Sequence, residues 1–264
     1  MTRLLRSEVL KLRTVWSTWV LLGVAALLTG ALSVVIGFVP HNRRDVSVVF
    51  PARGTVGWYD VVFSVMTVAI DLALVLGVIM ITGENRHKTI TSTFLAQPRR
   101  GWVATSKLLV ALGAGLVVAA VAGAVSLVFG YGAVAGGLGT SGRMLTEFRH
   151  VWPGVAAACV LFAAYGVGLG AILKNQVVAL VVGLGATAIV EPILVAAVPS
   201  VGRWLPSEVA QALESVTARP EVRGAFGSGL AHLVTWWEGA LVLLAYGVVL
   251  VAAGSFTTLR ADVT

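Results

Sequence analysis

Six long apolar runs occupy most of this 264-residue chain. Each run is close to the roughly 20 residues that a helix needs to cross the hydrocarbon core of a bilayer. The runs are continuous rather than alternating in polarity, which favours helices over a β-barrel. We expect spans near residues 16–38, 59–82, 103–129, 152–173, 177–198 and 236–257. The predicted fold class is therefore all-α, a polytopic membrane protein whose single domain covers residues 1–264.

The composition supports lipid as the solvent for these runs. Hydrophobic residues make up 58% of the chain and charged residues 12%, against about 25% charged residues in average globular chains. The net charge of +7 fits basic residues that set orientation and meet anionic headgroups. We expect no nucleic-acid partner, because no basic surface interleaved with aromatic residues lies outside the spans. The lone cysteine, Cys159, excludes a disulfide framework within the chain.

The distribution of Lys and Arg predicts the orientation. With the N-terminus inside, eleven of these residues fall on the inner side and eight on the outer side, which agrees with the positive-inside rule. The first apolar run, which begins near Val15, is longer than the ~7–15 residues of a signal-peptide core, so we expect it to be a retained span. An even number of spans then places both termini in the cytoplasm, in a multi-pass protein of the cell membrane.

Two shorter helices are expected outside the spans. Near the N-terminus, apolar residues recur at helical spacing, while Arg3, Arg6 and Arg13 lie off that face. The apolar residues are Leu5, Val9, Leu12 and Trp16. This pattern suits either an interfacial helix on the inner surface or a simple positive-inside anchor. Between spans 5 and 6, Ser207 is placed to cap a short outer helix over roughly 208–217.

Two acidic residues lie inside predicted spans, Asp71 in span 2 and Glu191 in span 5. Intramembrane acids are costly and are candidates for proton or substrate contacts. A structural hydrogen bond is the alternative for both. Pro192 frees a backbone group next to Glu191, which favours the structural interpretation there. For Asp71 both interpretations stay open.

Small residues are dense in spans 3 to 5. Gly166 and Gly170 form a G-x-x-x-G pattern, and Gly183 and Gly185 lie in span 5. Such residues allow close helix packing, although this pattern arises easily in a chain rich in Ala and Gly. The apolar spans suit hydrophobic or amphipathic cargo without selecting one.

Motifs for an ATPase or a metalloenzyme are missing from the sequence. The fragment Lys88-Thr89 lacks the glycines that form the phosphate cradle of a Walker A motif. Glu84 and His87 have E-x-x-H spacing, but a dimetal site on facing helices needs two copies. We therefore predict no enzyme activity, no ATPase site and no metal site in this chain.

The loop between spans 2 and 3, residues 83–100, is the most informative stretch. It carries mixed charges at its start and closes on Pro98-Arg99-Arg100. Ile90, Phe94 and Leu95 add a small apolar knob, and an apolar knob rimmed by charge is typical of a protein contact. A plain positive-inside anchor is the alternative.

This loop resembles that of the six-span, type-2 ATP-binding-cassette (ABC) export permeases common in actinobacteria. The matching residues in the loop are Gly83, Glu84, Arg86, His87, Thr89, Ile90, Pro98, Arg99 and Arg100, followed by Lys107. Further similarities are Arg6-Ser7-Glu8, Lys11-Leu12-Arg13, Glu191-Pro192, Trp204-Leu205-Pro206 and the C-terminal Arg260-Ala261-Asp262-Val263. Asn85 and Lys88 depart from the pattern, which commonly has an aromatic residue and glycine there.

The resemblance implies a permease homodimer that works with a separate cytoplasmic ABC ATPase, on which ATP and Mg²⁺ would bind. The loop would be the coupling helix that docks on the ATPase. The implied coupling residues are Glu84, Arg86, His87, Lys88, Thr89, Ile90, Phe94, Pro98 and Arg99. The alternative from the residues alone is a gradient-driven secondary carrier that uses Asp71 and Glu191.

Overall fold

The computed structural model describes residues 2–38, 51–86, 100–214 and 234–260. Within these ranges the chain is helical and contains no β-strand. The helices are α1 (Thr2–Thr14), α2 (Trp16–Phe38), α3 (Val56–Ser64), α4 (Val68–Arg86), α5 (Arg100–Ala135), α6 (Ser141–Leu173), α7 (Gln176–Gly185), α8 (Glu191–Ala197), α9 (Pro199–Gly202), α10 (Pro206–Leu213) and α11 (Trp236–Arg260). The predicted all-α fold class is confirmed.

Six helical stretches of the described residues are long and apolar enough to cross a bilayer, as predicted. They cover Trp16–Gly37, Val56–Glu84, Gly101–Ala135, Ser141–Leu173, Gln176–Ala197 and Trp236–Gly254. The third and fourth stretches, of 35 and 33 residues, exceed the predicted 103–129 and 152–173. Polar and small residues continue these two helices beyond the roughly 20 residues that the hydrocarbon core requires. The division into a single domain stays a prediction.

Helix α6 is the centre of the bundle. In its most apolar stretch 72% of the residues are buried within the chain, against 17–22% for the first, fifth and sixth spans. It packs along α4, α5 and α11. The first, fifth and sixth spans therefore leave most of their apolar surface on the outside of the bundle, where lipid or a second chain covers it in a membrane protein.

Glycines bring α4 and α6 into backbone contact. A Cβ atom added at Gly166 would strike the carbonyl oxygen of Leu74, and one added at Gly77 would strike the carbonyl oxygen of Ala163. Gly170 also faces α4 at close range. The G-x-x-x-G pattern of Gly166 and Gly170 is thus used for packing within the chain.

The fifth span is interrupted before Pro192. A π-helical turn (Ala186–Val190) joins α7 to α8, and the Glu191 backbone N–H donates to the Ala186 carbonyl. Pro192 has no backbone N–H to donate. A single π-helical turn, which is wider than an α-helical turn, is a common irregularity inside an α-helix. The turn places the Glu191 side chain inside the bundle, where it is 3% exposed.

The two short helices predicted outside the spans are present, with different details. Helix α1 has Glu8 and Leu12 on its inward face, whereas Val9 and Trp16 are 44% and 78% exposed. The predicted N-terminal helix is confirmed, and its Glu8 side chain, which the prediction did not consider, turns inward to meet a lysine from another helix.

The predicted cap of the outer helix is wrong. Helix α10 begins at Pro206 with Leu205 as its N-cap and no side-chain cap, a common place for proline at the first helical position. The hydroxyl of Ser207 bonds elsewhere, to Glu191. The helix ends at Leu213, and the predicted continuation beyond residue 214 lies outside the described residues.

The opposite end of the bundle from α1 is closed by a turn at residues 136–140. The hydroxyl of Tyr59 donates to the carbonyl of Leu138 at 2.5 Å, and Arg143 Nη1 donates to the carbonyl of Gly54 at 2.9 Å. Gly139 has φ +93° and lies against the Tyr59 ring. A side chain there would be strained in φ and would clash.

Candidate functional site

Four charged side chains meet where α1, α4 and α5 come together. Lys107 Nζ donates to Glu84 Oε1 at 2.5 Å and to Glu8 Oε2 at 2.9 Å. Lys11 Nζ donates to Glu8 Oε1 and to Glu84 Oε1, both at 2.7 Å. We call these four residues the ion-pair cluster. The cluster ties the N-terminal helix to the last turn of α4 and to the beginning of α5.

Three members of the ion-pair cluster are almost fully buried. The Glu8, Glu84 and Lys107 side chains are 6%, 8% and 5% exposed, and only Lys11 reaches solvent, at 44%. Two positive and two negative charges balance, which is the condition under which charges are tolerated in a protein interior. Glu84 Oε2 is buried and has no hydrogen-bond partner within the described part of the chain.

The pKa values of Glu8 and Lys11 reflect this pairing. Burial by itself would raise the pKa of Glu8, but the ammonium groups of Lys107 and Lys11 outweigh burial and hold the pKa below its ordinary value of 4.5. Burial would lower the pKa of Lys11, but the hydrogen bonds to Glu8 and Glu84 raise the pKa above its ordinary 10.5. Pairing thus contributes fully between pH 4.5 and 10.5, and its contribution is lost as the pH falls through the folded-state pKa of Glu8 or rises through that of Lys11.

Of the predicted coupling residues, the structure places Glu84 in the ion-pair cluster and Arg86, exposed, at the end of α4. The remaining predicted residues lie outside the described ranges: His87, Lys88, Thr89, Ile90, Phe94, Pro98 and Arg99. The segment that contains them begins after the end of α4, two residues beyond Glu84, and ends where α5 begins at Arg100, before Lys107.

Glu8, Lys11 and Lys107 were not predicted as site residues, although the family resemblance includes them. The spacing of Glu8 and Lys11 (i, i+3) is a sequence signal for a helical ion pair. Nothing local to Lys107 indicates that its partner is Glu8, 99 positions away.

The two predicted intramembrane acids lie in a second polar region. Glu191 Oε2 accepts hydrogen bonds from the Ser207 backbone N–H, at 2.7 Å, and from the Ser207 hydroxyl. A structural hydrogen bond is thus present at Glu191, but its partner is Ser207 of α10 rather than the backbone group that Pro192 frees. Asp71 receives no hydrogen bond from the described residues, so the structural hydrogen bond expected as one alternative is not found among them.

Helix α10 adds two further acids to this region, which the sequence analysis did not single out. Glu208 lies within electrostatic reach of Glu191, and Glu214 within that of Asp71. Asp71 lies within electrostatic reach of Glu191 as well. We call Asp71, Glu191, Glu208 and Glu214 the acidic group. In the sequence, Glu208 and Glu214 flank the apolar residues of α10, and this pattern could have indicated them as candidates.

Burial changes the ionisation of the acids on α10. Burial and the negative charge of Glu191 raise the pKa of Glu208 above its ordinary range. Burial, together with the negative charge of Asp71, raises the pKa of Glu214 to about 8. Glu214 thus keeps its proton in the folded protein at a pH where it is ionised in the unfolded chain.

The Glu214→Gln variant should become more stable than the wild type as the pH rises. The folded wild-type chain holds the Glu214 proton up to about pH 8, while the unfolded chain releases it near pH 4.5. Wild-type stability therefore falls between these values, by at most about 1.4 kcal/mol per pH unit. Thermal unfolding of both proteins in detergent from pH 4.5 to 8 checks this. A difference that does not grow with pH contradicts the buried, proton-bearing state, and Glu238→Gln, at an exposed carboxyl, is the control.

Among the described residues, no three His, Cys, Asp or Glu side chains are grouped so that they could hold a metal ion. Compared with known proteins, the chain matches no protein-family model and no curated protein.

Proposed function

We propose that this chain is the membrane-spanning permease subunit of an ATP-driven ABC exporter and that it couples to a separate ATPase subunit through the loop 83–100. The observation that carries the proposal is the ion-pair cluster at the base of that loop. The sequence similarities at Glu8, Lys11, Glu84 and Lys107 come from three separate motifs, and in the structure these residues contact one another.

The ion-pair cluster supports a mechanical role for the loop. Glu84 lies at the start of the loop, where α4 ends, and Lys107 follows the loop on α5; their direct contact joins these two helices. Glu8 and Lys11 add α1 to the same unit. A force applied to the loop is then transmitted to three helices together. Because α4 packs along the central α6, the force shifts packed helices rather than bending one connection.

In this account, ATP and Mg²⁺ bind to the partner ATPase, and ATP binding closes the ATPase dimer and moves the loop. Two permease copies form the translocation path, and their access alternates when the loops move. The loop and both termini then lie on the cytoplasmic side of the cell membrane, as the Lys and Arg distribution predicts. Glu84 anchors the end of α4 in the ion-pair cluster, and the predicted coupling residues from Arg86 to Arg99 provide the surface that contacts the ATPase.

A photo-crosslinking amino acid at Phe94 tests the assignment of the loop. In native membranes the crosslinker should capture a cytoplasmic ATPase subunit, because Phe94 belongs to the proposed docking surface. The matched control is the same crosslinker at Leu138, in the turn at the opposite end of the bundle, which should capture no ATPase. Capture from Leu138 but not from Phe94 would contradict both the loop assignment and the orientation.

A gradient-driven carrier is the second candidate, and the acidic group is the observation that favours it. Proton-coupled carriers use intramembrane carboxyls, and Asp71 and Glu191 lie within electrostatic reach of each other. Such a carrier would transport with no ATPase partner, and its activity in Asp71→Asn and Glu191→Gln variants would lose its dependence on the pH gradient. Vanadate-sensitive transport would exclude this candidate.

A further inference from the structure

Helix α1 has a positively charged face that the bundle leaves uncovered. Glu8 and Leu12, one turn apart, lie on the side of α1 that packs against the bundle. Arg6 and Arg13 are exposed on the other side. Seven residues make almost two full turns, so these two side chains leave the same face of the helix about 10 Å apart along its axis. Neither guanidinium group has an ion-pair or hydrogen-bond partner within the described part of the chain.

Apolar side chains flank the two arginines. Leu10 is 60% exposed and Val9 is 44% exposed, and the helical period places one on each side of the row that Arg6 and Arg13 form. We call Arg6, Val9, Leu10 and Arg13 the basic face of α1. Exposed aliphatic side chains beside basic ones are typical of a helix at the boundary between lipid headgroups and acyl chains. The aliphatic stem of an arginine can lie along apolar surface there while its charged end reaches a phosphate.

The connection to span 1 holds α1 close to the membrane boundary. Only Val15 separates α1 from α2, and its backbone N–H donates to the carbonyl of Lys11 at 3.0 Å. Trp19 Nε1 donates to the carbonyl of Arg13 at 2.9 Å. Trp16 and Trp19 are 78% and 56% exposed at the start of α2, and tryptophans at the end of a span are typical of the headgroup level. The basic face therefore begins at that level.

The protein itself supplies no negative charge to the basic face. Glu8 is the single acidic residue of α1, and its two carboxylate oxygens accept from Lys11 and Lys107 in the ion-pair cluster. The charges of Arg6 and Arg13 are therefore not compensated by their own helix. A guanidinium group matches the geometry of a phosphate, to which it can donate two parallel hydrogen bonds.

We propose that the basic face of α1 binds the phosphate groups of anionic phospholipids in the leaflet on which α1 lies. Arg6 and Arg13 donate to the phosphate oxygens, while Val9 and Leu10 contact the upper part of the acyl chains. The Lys and Arg distribution predicts that this leaflet is the cytoplasmic one, whose surface is negatively charged. A lipid bound there also holds the helix that supplies Glu8 and half of the ion-pair cluster. This site does not depend on the proposed function, because it needs no ATPase.

A photo-crosslinking amino acid at Leu10 tests the proposal. The purified full chain is placed in nanodiscs with equal amounts of anionic phosphatidylglycerol and zwitterionic phosphatidylcholine, and the lipids captured on illumination are identified by mass spectrometry. Each basic residue near an anionic surface contributes about fivefold in affinity, so two arginines should favour capture of phosphatidylglycerol by about 25-fold. A higher salt concentration should reduce this preference, because it screens exposed charges.

Matched variants separate the basic face from general lipid contact. The same crosslinker at Val128, which is 74% exposed on α5, should capture both lipids without preference. With the crosslinker at Leu10, the double variant Arg6→Gln and Arg13→Gln should lose the preference, whereas Arg6→Lys with Arg13→Lys should keep most of it. Arg149→Gln, at an exposed arginine of α6, should leave it unchanged.

Equal capture of the two lipids at Leu10, or no lipid capture there, overturns the proposal. A preference that survives the double glutamine variant, or that is as large at Val128, also overturns it. If the glutamine variant fails to fold, the comparison of Leu10 with Val128 in a chain that keeps both arginines still decides. Capture of a protein instead of lipid at Leu10 in native membranes would assign this face to that protein and contradict lipid binding. Each of these failures leaves ATPase capture at Phe94 untouched.

Discussion

Replacement of Lys107 by methionine should lower the free energy of unfolding by about 3–5 kcal/mol, the range found when one partner of a buried ion pair is removed. Lys107 is 5% exposed and contacts both Glu8 and Glu84. Methionine keeps the length of the side chain but leaves two buried carboxylates with only Lys11 to neutralise them. The chain has to protonate a glutamate or admit water, and both cost stability.

Lys11→Met is the matched control, since Lys11 contacts the same two glutamates at 2.7 Å but is 44% exposed. Solvent screens an exposed pair, so the loss should be much smaller than for Lys107. Unfolding in detergent, followed by tryptophan fluorescence, measures both variants. Adding Glu84→Gln to Lys107→Met should restore part of the stability. Equal losses for the two lysines would contradict the burial on which the ion-pair cluster depends.

Replacement of Gly166 by valine should destabilise the bundle by about 3 kcal/mol, at the upper end of the cost of overpacking. A Cβ atom at this position would meet the Leu74 carbonyl oxygen, and backbone cannot move aside as a flexible side chain can. The contact between α4 and the central α6 would have to open. The same variant should also weaken coupling, because α4 carries Glu84 at its end.

Gly113→Val provides the comparison for Gly166→Val. Gly113 lies on the exposed side of α5, and a Cβ there would meet nothing within 4 Å. We expect this substitution to leave stability nearly unchanged in a thermal unfolding assay. If Gly166→Val were tolerated as well, the close approach of α4 and α6 would be wrong.

The spans could be predicted because lipid imposes a length and a composition that each segment must satisfy by itself. The helix that precedes span 1 could be predicted for a similar local reason. The side of this helix that packs against the bundle could not be predicted, since burial of Glu8 depends on Lys107 from α5. The distance in sequence between these two residues hides the pairing from any local pattern.

The candidate sites show the same division between local and non-local information. Glu84 could be identified from its motif. Glu191 could be identified because a carboxyl group inside a span is energetically costly. The Ser207 prediction was wrong because a serine before a helix is a good local cap, yet here its hydroxyl bonds a buried carboxyl from another helix. The roles of Glu208 and Glu214 depend on the packing of α10 against α6 and α11, which no periodicity in the sequence specifies.

The central claim is that the chain works with a separate ATPase, and the most direct measurement is affinity purification of the tagged chain from native membranes followed by an ATPase assay. The account predicts that a cytoplasmic ATPase co-purifies and that its ATP turnover is inhibited by vanadate. Recovery of the chain alone, as a homo-oligomer without ATPase activity, would contradict the exporter assignment and favour a gradient-driven carrier.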